Sequence, residues 1–329
     1  MTQRVRVGIA GTGSYAPERV IDNAYWEKRV DTSDEWITKR TGIKERRFAA
    51  DDEATSDLAA RAGKLALENA GIAPEDVDLI VMGTASPDAF IPPASPLVQH
   101  ALGATNAGVF DCNAACSGFL AAFNTGEAFV ASGRAKRVLV IGAEALSRFI
   151  DPNDRASCIL FGDGAGAAVL TNWEDCRQGE VLRTTLGGDG SGYDFIKMPG
   201  GGSRMPASHD TVEARQHYIQ VRGREVYRFA VTRMSELVRE MAEGHDPDDV
   251  TLVIPHQVNL RIIQAAVERL GWDEKKFVVN IERYGNTSSA TVPFALDEVR
   301  RAGKIEKGKL VILVAFGAGL TWGGSLIRW

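Results

Sequence analysis

The chain repeats itself, and the repeat constrains its fold more than any other feature of its 329 residues. Residues 67–84 read LENAGIAPEDVDLIVMGT and residues 241–257 read MAEGHDPDDVTLVIPHQ. Each has a helix end, then proline, acidic residues and valine, then an apolar run of strand length. Pro74 and Pro247 lie 173 positions apart. Farther along, 109–141 and 278–314 each read as strand, tight turn, helix and strand. Gly133 and Gly303 follow the two helices, 170 positions apart, where C-terminal glycines belong. A step of 170 residues also carries Cys116 onto Asn286, which predicts equivalent places for them in the two turns. Self-similarity of this kind marks duplicated structural units. Apolar runs at Leu79–Gly83, 138–142 and Leu310–Gly317 alternate with helical patterns, which predicts sheets covered on both faces by helices. The reading is an α/β chain of two similar halves, 1–172 and 173–329, packed together. The segment 185–210, rich in Gly, Ser and Pro, is read as loop.

Composition narrows the function classes. A net charge of −5 does not suggest a nucleic-acid binder, which would usually be basic. The four cysteines, Cys112, Cys116, Cys158 and Cys176, are too sparse for a disulfide scaffold and form no CxxC pair for zinc. The N-terminus carries Arg4 and Arg6 without a long apolar core, so it is not read as a signal peptide. No run reaches ~18 apolar residues, so no membrane span is expected. The default compartment is a reducing cytoplasm, where free thiols stay available for chemistry.

Three residues are candidates for that chemistry. Cys116, in FDCNAACSGF, sits where a strand turns into a helix. Phe119, Ala122, Phe123, Gly126 and Val130 then recur on one helical face. A helix N-terminus favours an anion by roughly 0.3–1 kcal/mol, sometimes ~2. One pKa unit is about 1.36 kcal/mol, so the expected thiol pKa falls from ~8.5 to about 7.5. The competing reading is a buried structural thiol, and Cys112 is given that role. His256 lies just past an apolar strand, where sites gather in open α/β sheets; it could donate a hydrogen bond or move protons, or be an ordered structural histidine. Asn286, in RYGNTSSATVP, could equally be a helix N-cap. Glycine-rich 8–13 has the spacing GxxGxG, unlike the dinucleotide fingerprint. Glycine-rich 161–166 lacks a P-loop lysine and is read as a close backbone approach within the first half. Backbone N–H groups in 316–322 could serve an oxyanion.

Together AACSGF, IPHQVNLRII, RYGNTSSATVP, AFGAGLTWGG, VDTSDEWITKRTGIKERR and DPNDRASCILFGDGAGAAVL closely resemble the β-ketoacyl-[acyl carrier protein] synthase III family, from end to end. The resemblance implies a thiolase-like five-layer αβαβα fold, a homodimer and a decarboxylative Claisen condensation. Cys116 would take an acyl group from a primer acyl-CoA. Malonyl-[acyl carrier protein] would then lose CO2 and attack the acyl-Cys116 thioester. His256 and Asn286 would donate to the malonyl thioester oxygen, and the backbone N–H groups of Cys116 and Ala318 would form the oxyanion hole. Family members often have Gly at Ala318. Phe316 would shape the malonyl pocket. CoA contacts would fall on Thr32, Trp36, Arg40, Arg155, Gly223, Tyr227, Val258, Asn259 and Arg261, with Trp36 and Arg155 sandwiching the adenine. Carrier-protein docking would use Arg228, Arg261 and Arg269; Glu268 departs from the more basic pattern. Ile91, where many relatives have Phe, would reach the partner's primer pocket. The family implies no metal and no cofactor, CoA thioester being a substrate, and no nucleic-acid or membrane partner. The alternatives are a related acyltransferase or polyketide starter enzyme with another acceptor, a Cys-His-Asn hydrolase, and a non-catalytic CoA-binding module.

Overall fold

A computed structural model describes residues 5–329; Arg4, one of the two N-terminal charges, lies outside them. The apolar runs form two main sheets. The first has the spatial order Val7–Tyr15, Asp163–Asn172, Arg137–Ala145, Leu79–Gly83, Gly108–Cys112. The second has the order Val250–Pro255, Leu310–Gly317, Thr321–Arg328, Glu180–Gly188. They pair alike. Leu79–Gly83 runs parallel to Arg137–Ala145, which is antiparallel to Asp163–Asn172. Val250–Pro255 likewise runs parallel to Leu310–Gly317, which is antiparallel to Thr321–Arg328.

Strand periodicity assigns the faces. Leu79 and Val81 enter one apolar cluster, Ile80 and Met82 another, because successive strand side chains point to opposite sides. Val311, Leu313 and Ala315 join the first of these clusters, while Ile312, Val314 and Phe316 enter a third. The shared cluster therefore lies between the sheets. Two inner helices fill it: Gly118–Ala131 with Phe119, Leu120 and Phe123, and Thr291–Arg301 with Val292, Leu296 and Val299. Each of these large side chains gains roughly 1.5–3 kcal/mol from burial. Helix Thr55–Ala70 covers the outer face of the first sheet; Gly223–Ala242 and Leu260–Leu270 cover that of the second. The layers run helix, sheet, helices, sheet, helices, which is the five-layer αβαβα arrangement.

Three details differ from the sequence reading. The segment 185–210 is not all loop, because its first residues complete strand Glu180–Gly188 against Thr321–Arg328. No strand forms at Val278; Phe277 makes only an isolated bridge to Val253. The third concerns the repeat. Gly118–Ala131 has 14 residues and Thr291–Arg301 has 11. Gly133 and Gly303, two residues past these helices, are thus 170 apart, whereas the helix starts are 173 apart. The step of 170 is a difference in helix length and does not hold for the turns before the helices.

Candidate active site

Both inner helices begin in the same unusual turn. Asn113 accepts the Ala115 N–H at 3.1 Å, Ala115 is left-handed at φ 47°, and a short 3-10 turn, Ala115–Ser117, leads into Gly118–Ala131. Asn286 accepts the Ser288 N–H at 2.8 Å, Ser288 is left-handed at φ 49°, and Ser288–Ala290 leads into Thr291–Arg301. A side-chain-bearing residue in that region costs about 1–3 kcal/mol and persists where its surroundings dictate it. Matched residue by residue, Asn286 corresponds to Asn113, and Cys116 to Ser289. The expected equivalence of Cys116 and Asn286 is therefore wrong by three residues. Their proximity survives, because the two turns pack on each other where the halves meet.

The electrostatics of Cys116 also differ from expectation. The residue is only partly covered, yet its sulfur is densely surrounded, and burial pushes the thiol up to about 11. The Ser288 hydroxyl beside it works against this, while the Glu144 carboxylate adds to it. A helix-start effect of about 1 kcal/mol is outweighed by such desolvation. Cys112 is tied to the Gly118 carbonyl at 3.7 Å, and burial raises its thiol to about 11 as well.

His256 follows strand Val250–Pro255 and is 1% exposed. Its Nδ1 lies 2.7 Å from Thr291 Oγ1, and its Nε2 is buried without a partner among the described residues. Burial alone depresses its pKa to about 3, so the ring is neutral. Phe316 stands edge-on to the imidazole at 5.7 Å and to Phe229 at 6.1 Å. Asn286 is held by its backbone: its N–H donates to Leu160 O at 2.9 Å, and its carbonyl accepts from Gly162 N–H at 3.0 Å. A Cβ at Gly162 would strike the Tyr284 carbonyl. The 161–166 glycines thus do admit a close backbone, but from the other half of the chain. With Oδ1 taken by Ser288, the Nδ2 of Asn286 has no acceptor among the described residues.

The end of strand Leu310–Gly317 closes the site. A Cβ added to Gly317 would sit 2.6 Å from the Cys116 nitrogen, so glycine is required there and Ala318 follows directly beside the thiol turn. Gly317→Ala is expected to displace that turn and to slow the acyl loading of Cys116 that the resemblance implies by about 10²-fold, since misplacements near 1 Å cost that much. Loading at the wild-type rate, followed by intact-protein mass spectrometry, would refute this packing.

Sequence reasoning missed two buried polar groups here. Glu144, wholly buried, accepts from Ser86 Oγ at 2.5 Å, from the Ala85 N–H at 3.1 Å and from Ser288 Oγ at 3.1 Å. Burial raises its pKa despite these donors. The available signal was one acid inside the otherwise apolar strand Arg137–Ala145. Thr291, in contact with His256, had no signal beyond its place in RYGNTSSATVP.

The remaining predicted residues lie farther out. Trp36 is on helix Asp34–Thr41; the Arg155 guanidinium lies 4.8 Å and that of Arg40 5.1 Å from its ring centroid. Arg155 therefore rests on the ring itself and pairs with Asp31 at 3.2 Å. Thr32 has a buried Oγ1 without a partner among the described residues. Gly223 opens helix Gly223–Ala242, and Asn259 caps Leu260–Leu270 through the Arg261 N–H, with Val258 just before. Tyr227, Arg228 and Arg269 share a groove with Arg224, which was not predicted, and Arg261 does not line it. Ile91 is 89% exposed beside exposed Phe90 in the single chain. Among the described residues no acidic, His or Cys cluster suits a metal ion, and no helix is long and apolar enough to cross a membrane.

Known proteins share this arrangement. The family model 3-oxoacyl-[acyl-carrier-protein] synthase III matches residues 110–190, and its C-terminal counterpart matches 241–329. A protein of Caldanaerobacter subterraneus subsp. tengcongensis named beta-ketoacyl-[acyl-carrier-protein] synthase III is 51% identical, covering 100% of this chain and 99% of its own. One of the same name from Clostridioides difficile is 50% identical, covering 98% of each. The crystal structure of 3-oxoacyl-[acyl-carrier-protein] synthase III from Aquifex aeolicus superposes with TM-score 0.89 at 45% identity, covering 98% of this chain and 100% of that one. The priming β-ketosynthase of the R1128 polyketide pathway superposes with TM-score 0.91 at 37% identity, covering 100% and 98%.

Proposed function

The chain belongs to the β-ketoacyl-[acyl-carrier-protein] synthase III family, and from that premise we propose how its own residues perform the family's reaction. It is an acyltransferase that initiates fatty-acid synthesis by condensing a primer acyl-CoA with malonyl-[acyl carrier protein]. In the proposed course, Cys116 attacks the primer thioester, the C–S bond to CoA breaks, and CoA leaves as its thiol. Backbone N–H groups of Cys116 and Ala318 hold the oxyanion. Malonyl-[acyl carrier protein] then enters beside Phe316 and loses CO2. Nε2–H of His256 and Nδ2–H of Asn286 stabilise the resulting enolate. Its carbon attacks the acyl-Cys116 carbonyl, the thiolate departs, and β-ketoacyl-carrier protein is released.

The observation that supports this reading most is the buried His256 Nε2, without a protein partner among the described residues, together with the packing of the turn after Asn286 on the Cys116 turn. A buried polar atom left unsatisfied demands a ligand or another explanation. The test is reconstitution with a panel of acyl-CoAs and malonyl-carrier protein. Equimolar CoA, CO2 and β-ketoacyl product is expected. Free acid without the malonyl donor would mean a hydrolase, an ester product another acyltransferase, and no adduct on Cys116 a binding module.

The rest of the reading is also ours. CoA binds along Thr32, Trp36, Arg40, Arg155, Gly223, Tyr227, Val258, Asn259 and Arg261; for adenine to lie on Trp36, Arg155 must first swing off the ring. No cofactor takes part, and the protein works in the cytoplasm as a homodimer of chains divided near residue 172. Exposed Phe90 and Ile91, and the edge position of strand Gly108–Cys112, support the dimer. Ile91, smaller than Phe, would admit primers longer or more branched than acetyl. The carrier protein docks through Arg228 and Arg269 with Arg261 nearby. Its affinity is expected to fall as salt is added, and Arg228→Glu with Arg269→Glu to raise KM for malonyl-carrier protein about 10-fold; a salt-independent affinity would refute the docking surface.

A further inference from the structure

His256 can stabilise the malonyl enolate only if Nε2 carries the proton, and a neutral imidazole has one proton for two nitrogens. Among the described residues the other nitrogen, Nδ1, has one hydrogen-bond partner, the Thr291 hydroxyl at 2.7 Å. That hydroxyl has a second neighbour, the Ser288 carbonyl at 2.9 Å. Its one hydrogen can go to either. Turned to Ser288, it must accept from Nδ1–H, and Nε2 is left as a bare, buried lone pair. Turned to Nδ1, it leaves Nε2 as the protonated nitrogen. The Ser288 carbonyl loses little in the second case, because the Thr291 backbone N–H already donates to it in the 3-10 turn. Nδ1 has no alternative partner among the described residues. The strained φ of Ser288 and the Asn286 hydrogen bond to its N–H fix the start of the helix that carries Thr291.

We propose that Thr291 is a positioning residue whose hydroxyl donates to Nδ1 of His256 and so holds the proton on Nε2, facing the reacting thioester. The inference rests on the role of His256 given above. It predicts a division of labour: Thr291 matters to the malonyl half-reaction and not to acyl loading, since Cys116 makes no use of the tautomer. It also explains how a histidine without a carboxylate partner keeps a defined donor.

The test uses the full-length enzyme with Thr291→Val and Thr291→Ser. Thr291→Val is expected to slow decarboxylation of malonyl-carrier protein about 10–100-fold, the usual range for removing a group that orients a functional histidine, with acyl loading from acyl-CoA within about threefold of wild type. Thr291→Ser, which keeps the hydroxyl, is expected to restore decarboxylation. Nitrogen-15 spectra of labelled histidine give a readout independent of activity. In the wild type, the His256 Nε2 should be the protonated nitrogen and Nδ1 an unprotonated, hydrogen-bonded one; in Thr291→Val, Nδ1 should move to the position of a bare ring nitrogen. A protonated Nδ1 in the wild type overturns the proposal. So does Thr291→Val that decarboxylates at the wild-type rate, or that loses both half-reactions equally without rescue by serine. If instead His256→Ala leaves decarboxylation intact, the role of His256 itself falls, and the wild-type spectrum still judges the tautomer.

Discussion

Cys116→Ser is expected to lose acyl loading by at least about 10³-fold, and with it all β-ketoacyl product, since removing a nucleophile from a working site costs between that and ~10⁶. The hydroxyl would occupy nearly the same place in the strained Asn113–Ala115 turn, so geometry is not what fails. Activation is. The Ser288 hydroxyl, which favours the thiolate, donates to Glu144 and is no base. A thiol raised to about 11 still ionises far more readily than an alcohol. Intact-protein mass spectrometry with a panel of acyl-CoAs reads this directly. An acyl adduct that persists on the serine variant at Cys112 would remove Cys116 from the mechanism.

His256→Ala is expected to leave acyl loading within about threefold and to slow malonyl decarboxylation by about 10²–10³, the usual cost of one donor to a developing oxyanion. Equal losses in both half-reactions would contradict the assignment. The same residue gives a pH signature in stability. Its folded pKa is depressed to about 3 by burial, against ~6.5 in an unfolded chain. Above 6.5 both states hold it neutral. As pH falls below 6.5, the unfolded chain takes up a proton that the folded chain refuses, so stability is lost progressively towards pH 3. The drop in Tm between pH 7 and pH 5 should therefore be smaller in His256→Ala than in wild type, whatever cavity the variant leaves at both pH values. An equal drop would mean that His256 is not held neutral by burial.

The layers were legible because they depend on short-range pattern. Continuous apolar runs such as Leu79–Gly83 and Leu310–Gly317 bury both faces wherever they go, and a 3.6-residue stripe like Phe119, Ala122 and Phe123 needs a sheet on which to lie. Cys116, His256 and Asn286 could be singled out as candidates because Cys116 and Asn286 stand in turns before helices and His256 follows a strand end. The register of the two halves was misread, because Gly133 and Gly303 mark where helices stop and the helices differ in length. Arg155 was placed beside Trp36, but its rest on the ring and its pairing with Asp31 join residues 119 and 124 positions apart, which no local pattern records.

Two duplicated α/β halves, a thiol at a helix start and a histidine past a strand are written in the order of residues along the chain. The protonation of the thiol and the imidazole depends on how the folded chain encloses them. A thiol driven upward, an imidazole driven down and Glu144 at its centre follow from burial and from hydrogen bonds such as Ser288 to Glu144, 144 residues apart in the chain, and His256 to Thr291, 35 apart. Desolvation is a property of everything that surrounds an atom, and no local run of residues records it.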